Sequence, residues 1–136
     1  AQLGRYDEAR RLAMEGATMI RRAYPAPNRR FAQAINPIGI AYTREGLQRA
    51  AVRVFGEALA TLEADLPADH PNVTALRYSL ARASLDAGDA AAAIPLLERV
   101  LADETAQFDG PHRKLAVTHW TLGEAEAARS ALAAVL

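Results

Sequence analysis

From Arg29 to Glu45 the apolar residues Ile35, Ile38, Ala41 and Tyr42 fall at spacings of three and four, which places them on one face of a helix. Gly46 interrupts that pattern as a residue suited to left-handed dihedrals. From Gln48 onward Ala51, Val54, Phe55, Ala58, Leu59 and Leu62 lay out a second amphipathic face, ended before Pro67 because the residue before a proline disfavours helical dihedrals. "PADHPN", residues 67–72, reads as a loop. The pattern then returns with Leu76, Leu80, Ala83 and Leu85, a stop at Gly88 and an N-cap at Asp89. Ala93, Leu96, Leu97, Val100 and Leu101 follow on the next helix. Pro37 and Pro95 fall inside these helices, where each removes one backbone hydrogen bond. Asn36-Pro37 has the alternative reading of an N-cap and first helical residue, but the second unit favours the longer helix.

The pattern is periodic. Gly4, Gly46 and Gly88 stand 42 residues apart, each followed five positions later by an alanine, Ala9, Ala51 or Ala93. Tyr24-Pro25 recurs as Leu66-Pro67, with Phe108 at the third copy, while Asn28, His70 and His112 mark another position of the same period. Such a period predicts stacked helix pairs. The expected units are a half repeat over 1–27, repeats over 28–69 and 70–111, and a shortened repeat over 112–136. Gly123 and Ala128 match the glycine and alanine spacing but lie only 35 residues after Gly88, so a short first helix is expected from His112 to Leu122. Seven helices are expected in all, the first near Arg5 to Ala23, with Ala1 to Leu3 ending a preceding helix. "GRYDEA" at the start and "ARSALAAVL" at the end are helical faces without partners, which predicts a fragment of a larger protein.

Composition agrees with a folded domain and removes several functions. Hydrophobic residues make up 51% of the 136 positions, and 16 basic residues balance 16 acidic ones, so the charge footprint of a nucleic-acid binder is missing. There is no cysteine and no apolar run long enough to span a membrane, which suits a cytoplasmic protein.

In the central unit Ile38, Gly39, Tyr42, Gly46, Ala51, Phe55 and Ala58 resemble the small-and-large pattern of a tetratricopeptide (TPR) repeat. The long period, the "DHPNV" stretch and the spacing of Asn36, Gly39 and Tyr42 are similar to the kinesin-light-chain type common in bacterial multidomain proteins. Ala81 in place of Gly39, Ser84 in place of Tyr42 and the missing seven residues depart from it. The resemblance implies an all-α, right-handed superhelical solenoid of antiparallel helix pairs whose first helices line a concave, peptide-binding groove. It places Gln33, Asn36, Ile40, Thr43 and Arg44 in that groove from the first unit, and Ala75, Tyr78, Arg82, Leu85 and Asp86 from the second. Arg113, Val117, Trp120 and Thr121 complete it from the third.

Chemistry other than binding has little to stand on. His70 and His112 occupy equivalent loops and His119 a helix, so loop capping or exposure is expected rather than a metal site. No nucleophile elbow, phosphate-binding loop or paired-carboxylate motif is present, which argues against an enzyme and against a cofactor. The expected function is a protein-interaction module. Arg44, Arg82 and Arg113 would favour acidic peptides, and Tyr78 and Trp120 would act as aromatic anchors. The alternative is a structural spacer, or a scaffold that self-associates through its terminal helices and is attached to a kinase or regulatory domain.

Overall fold

The structure, a computed structural model, describes residues 2–25 and 28–135, with side chains from Asp7 onward. The described residues form six helices and no strand: α1 (Gln2–Ala23), α2 (Arg29–Arg44), α3 (Gln48–Glu63), α4 (Pro71–Asp86), α5 (Ala90–Gln107) and α6 (Arg113–Val135). They divide into two compact units, Ala1–Pro67 and Ala68–Leu136.

In the first unit α2 packs along α3. Phe31, Ile35 and Tyr42 meet Ala51, Val54, Phe55, Ala58 and Leu62, all buried. Gly39 sets the approach of the two helices, because a Cβ placed there would lie 2.6 Å from the Phe55 ring. Burial of these apolar side chains outweighs the hydrogen bond lost at Pro37, and α2 runs unbroken through it. The helix α1 packs on α2 through the buried Ala17, and Arg21 forks onto Glu57 with Nε 2.9 Å from Oε2. That hydrogen bond holds the Arg21 guanidinium above its ordinary pKa.

Both expected stops are Schellman motifs. Gly46, at φ 76°, donates its N–H to Thr43 O and Leu47 donates to Tyr42 O; Gly88, at φ 88°, and Asp89 repeat the pair with Leu85 O and Ser84 O.

In the second unit α5 lies between α4 and α6, around a core of Ala81, Ala93, Ile94, Leu97 and Ala125. Its α4 is less regular in sequence than α2 because Thr74, Arg77 and Ser84 occupy buried positions on its inner face. Arg77 is matched by Asp103 of α5 at 3.0 Å, with the two side chains only 7% and 11% exposed. Arg99 reaches the same carboxylate from the solvent side, at 3.1 Å.

The periodic track Asn28, His70, His112 is a capping track. Asn28 Oδ1 accepts from Arg30 N at 2.9 Å, His70 Nδ1 from Asn72 N at 3.1 Å, and His112 Nδ1 from Lys114 N at 3.1 Å. Each satisfies an N–H that the first helical turn leaves without a partner. The His112 ring also stacks on Phe108, with centroids 3.7 Å apart. His70→Ala is expected to lower stability by about 1 kcal/mol in urea unfolding. His70→Asn, which restores the Asn28 arrangement, should recover most of it.

Two expected helix ends are corrected. The helix α6 runs through Gly123 without a break, so the short helix from His112 to Leu122 and the seventh helix are not formed among the described residues. Likewise Gln2 and Leu3 belong to α1 itself, which continues through Gly4; Ala1 lies outside the described residues. A glycine inside a helix costs about 1 kcal/mol but does not end it without the left-handed turn that Gly46 and Gly88 adopt. The capping track shows where the register was lost. Counted from His112 the period stays at 42, Gly123 stands two periods after Gly39 rather than opposite Gly46, and no seven residues are missing from α6.

Candidate protein-binding face

The candidates from the first unit lie along α2. Gln33 and Arg44 are exposed, Asn36 is half-buried and Ile40 is exposed as a large apolar side chain. The Thr43 hydroxyl donates to Gly39 O at 3.0 Å, so its hydrogen goes to its own helix.

In the second unit the structure separates the candidates into three groups. Ala75 and Tyr78 of α4 and Arg113 and Val117 of α6 line one pocket of about 320 Å³, whose floor is made by α5 through Glu104 and Gln107. The Tyr78 hydroxyl lies 2.9 Å from Thr121 Oγ1, which ties α4 to α6 and fixes the ring at the pocket wall. Thr121 is itself buried and Leu85 packs against the core, so both are structural here rather than available to a partner.

Arg82 makes the second group with its two carboxylates. It donates to Asp86 at 3.0 Å and to Glu124 of α6 at 3.2 Å. Burial pulls its pKa down, but Asp86 and Glu124 outweigh that and the guanidinium stays above its ordinary value. The Arg82 charge, expected to be central to an acidic-peptide preference, is therefore already met within the unit. Arg44 and Arg113 remain exposed.

Trp120 is the third group. Its side chain is 73% exposed, one turn along α6 from Val117, which is also exposed. Val117 also lines the pocket, so the open aromatic follows the pocket wall along α6.

Glu104 was not anticipated from sequence. Its signal was a charge in the apolar phase of α5, after Ala93, Leu97 and Val100, at the position where the preceding repeat carries Leu62 42 residues earlier. Among the described residues no group of histidines and carboxylates could hold a metal ion, and no helix is long and apolar enough to cross a membrane. His119 is exposed, apart from the capping roles of His70 and His112.

This arrangement of capped helix pairs, glycine-packed contacts and Schellman turns is the TPR-like repeat fold. Crystal structures of nearly identical TPR-like repeats ascribed to a kinesin light chain of Podosopora anserina share it. One of them, a point variant, superposes with a TM-score of 0.80 at 23% identity over 95% of this chain, and a second structure with 0.74 at 23% identity over 93%. This chain spans 61% and 60% of the lengths of those two. No family model matches the chain, and no curated protein matches it.

Proposed function

We propose that this chain is a non-catalytic interaction module that binds a segment of a partner protein across the face formed by α4 and α6. The observation that supports the reading best is the exposed Trp120 beside the apolar-walled pocket of Tyr78, Ala75 and Val117. Repeat folds of this type present extended binding surfaces, which agrees with the absence of a catalytic constellation in the sequence. The first unit, taken by itself, offers a separate candidate face in the exposed positions of α2, Gln33, Ile40 and Arg44.

Trp120 is the only tryptophan, so its emission reports directly on the proposed face. Peptides selected by display on the immobilised chain should shift that emission to shorter wavelength and protect it from iodide quenching. Trp120→Ala should weaken them about thirtyfold, the loss of a hot-spot aromatic. Selected peptides that leave the emission unchanged and bind Trp120→Ala equally well would refute the reading.

Exposed Leu132 and Val135 on α6 and Met19 on α1 favour a second reading, a scaffold that associates with itself. Concentration-dependent sedimentation without any Trp120-dependent peptide would support that reading instead.

A further inference from the structure

Glu104 is a buried charge without a counter-ion. The residue is 6% exposed, and its Oε1 accepts one hydrogen bond, from the Thr118 hydroxyl at 2.5 Å. No arginine, lysine or histidine nitrogen of the described residues comes within ion-pairing distance of it. No buried side-chain polar atom is left without a partner, so the second oxygen, which has no hydrogen bond of its own, reaches the pocket. Burying a carboxylate costs several kcal/mol unless it is paired. Its neighbour Asp103 shows how this unit treats the same problem when the carboxylate is structural, with Arg77 at 3.0 Å and Arg99 at 3.1 Å. One period earlier the positions of Glu104 and Thr118 are Leu62 and Leu76, both buried, so the repeat itself does not require the polar pair.

We propose that the pocket between α4, α5 and α6 receives a long basic side chain, lysine or arginine, of the partner segment, with its charge against Glu104. This rests on the interaction reading above and specifies its chemistry. Pro71, Ala75 and Val117 offer apolar walls for the methylene stem, and Tyr78 offers a ring face. Arg113 and Lys114 also line the pocket and oppose a cation, but both are exposed and screened by solvent and salt, whereas Glu104 sits where charges interact most strongly. The pocket's volume of about 320 Å³ is ample for such a side chain.

The test uses short alanine-based peptides with a central lysine, norleucine or glutamate, measured by calorimetry and by Trp120 emission. The lysine peptide should bind about tenfold more tightly than the norleucine peptide, the gain from one charge-assisted hydrogen bond. The glutamate peptide should bind most weakly. Glu104→Gln should erase the lysine advantage, while Lys114→Ala should leave it intact or enlarge it. Glu104→Leu combined with Thr118→Val, so that no buried hydroxyl is left without its acceptor, controls for folding. It should unfold at the parent's urea midpoint or above, and still show no preference for lysine. A lysine advantage that survives Glu104→Gln, equal binding of lysine and norleucine, or no binding of any of the three would overturn the proposal. The two readings fail separately. Peptides that depend on Trp120 but ignore Glu104 would remove only the cation pocket, and a lysine preference that depends on Glu104 but not on Trp120 would remove only the role of the tryptophan.

Discussion

Asp103→Ala is expected to destabilise the second unit by about 3–5 kcal/mol, the cost of leaving a buried charge without its partner. Arg77 would then be held inside the unit with only Ala68 O, 3.4 Å away, to receive its hydrogen bonds. Arg99 cannot substitute, being a cation itself. The double variant Arg77→Met, Asp103→Leu should recover most of the loss, because well-packed apolar residues of similar size often equal a buried ion pair. Urea unfolding followed by circular dichroism measures both. A single variant within about 1 kcal/mol of the parent, by an order-of-magnitude reading of that cost, would mean that the pair is solvated in practice.

Gly39→Ala opposes two effects of known size. Alanine gains about 1 kcal/mol of helix propensity in α2, but its Cβ would meet three ring carbons of Phe55 at 2.6, 2.7 and 3.0 Å. That ring is buried against α2, so it or the helix must shift to admit the new Cβ. Overpacking should win, with a net loss of about 1–3 kcal/mol. Phe55→Leu should cost stability in the parent yet relieve part of the loss in Gly39→Ala, a coupling that a double-mutant cycle reads directly. The same exchange at Gly123 should be neutral or stabilising, because a Cβ there meets nothing within 4 Å among the described residues.

These glycines also show how far the sequence could be read. Helix type and period were legible because the apolar face of α2 and α3 repeats at helical spacing and because Gly46 and Gly88 each end a helix in one recognisable way. Gly4 and Gly123 were misleading for the same reason: the letter is identical whether glycine ends a helix, admits a neighbour, or is tolerated mid-helix. The capping track was the more reliable ruler, since Asn28, His70 and His112 all do one job at the start of a first helix. Of the site, Tyr78 and Trp120 stood out as aromatics on a polar face. The pairing of Arg82 was not legible, because Glu124 lies on another helix 42 residues away and only the fold brings them together. Glu104 was hidden by its surroundings, a single acidic residue that α5 buries where its counterpart is leucine.

The buried pair of Arg77 and Asp103 has a further consequence for a chain made of near copies. One period earlier the same two positions are Ile35 and Thr61, both buried. A chain with two similar helix pairs can fold with its partners exchanged, a recognised hazard of repeat proteins. Here such an exchange would set Arg77 of α4 against Thr61 of α3, leaving a buried guanidinium without a carboxylate at a cost of several kcal/mol, while Asp103 of α5 would face Ile35 of α2 with only Arg99 of its own helix left to it. The ion pair therefore works as a lock between α4 and α5: it adds little over an apolar pair in the correct fold and rejects the wrong neighbour during assembly.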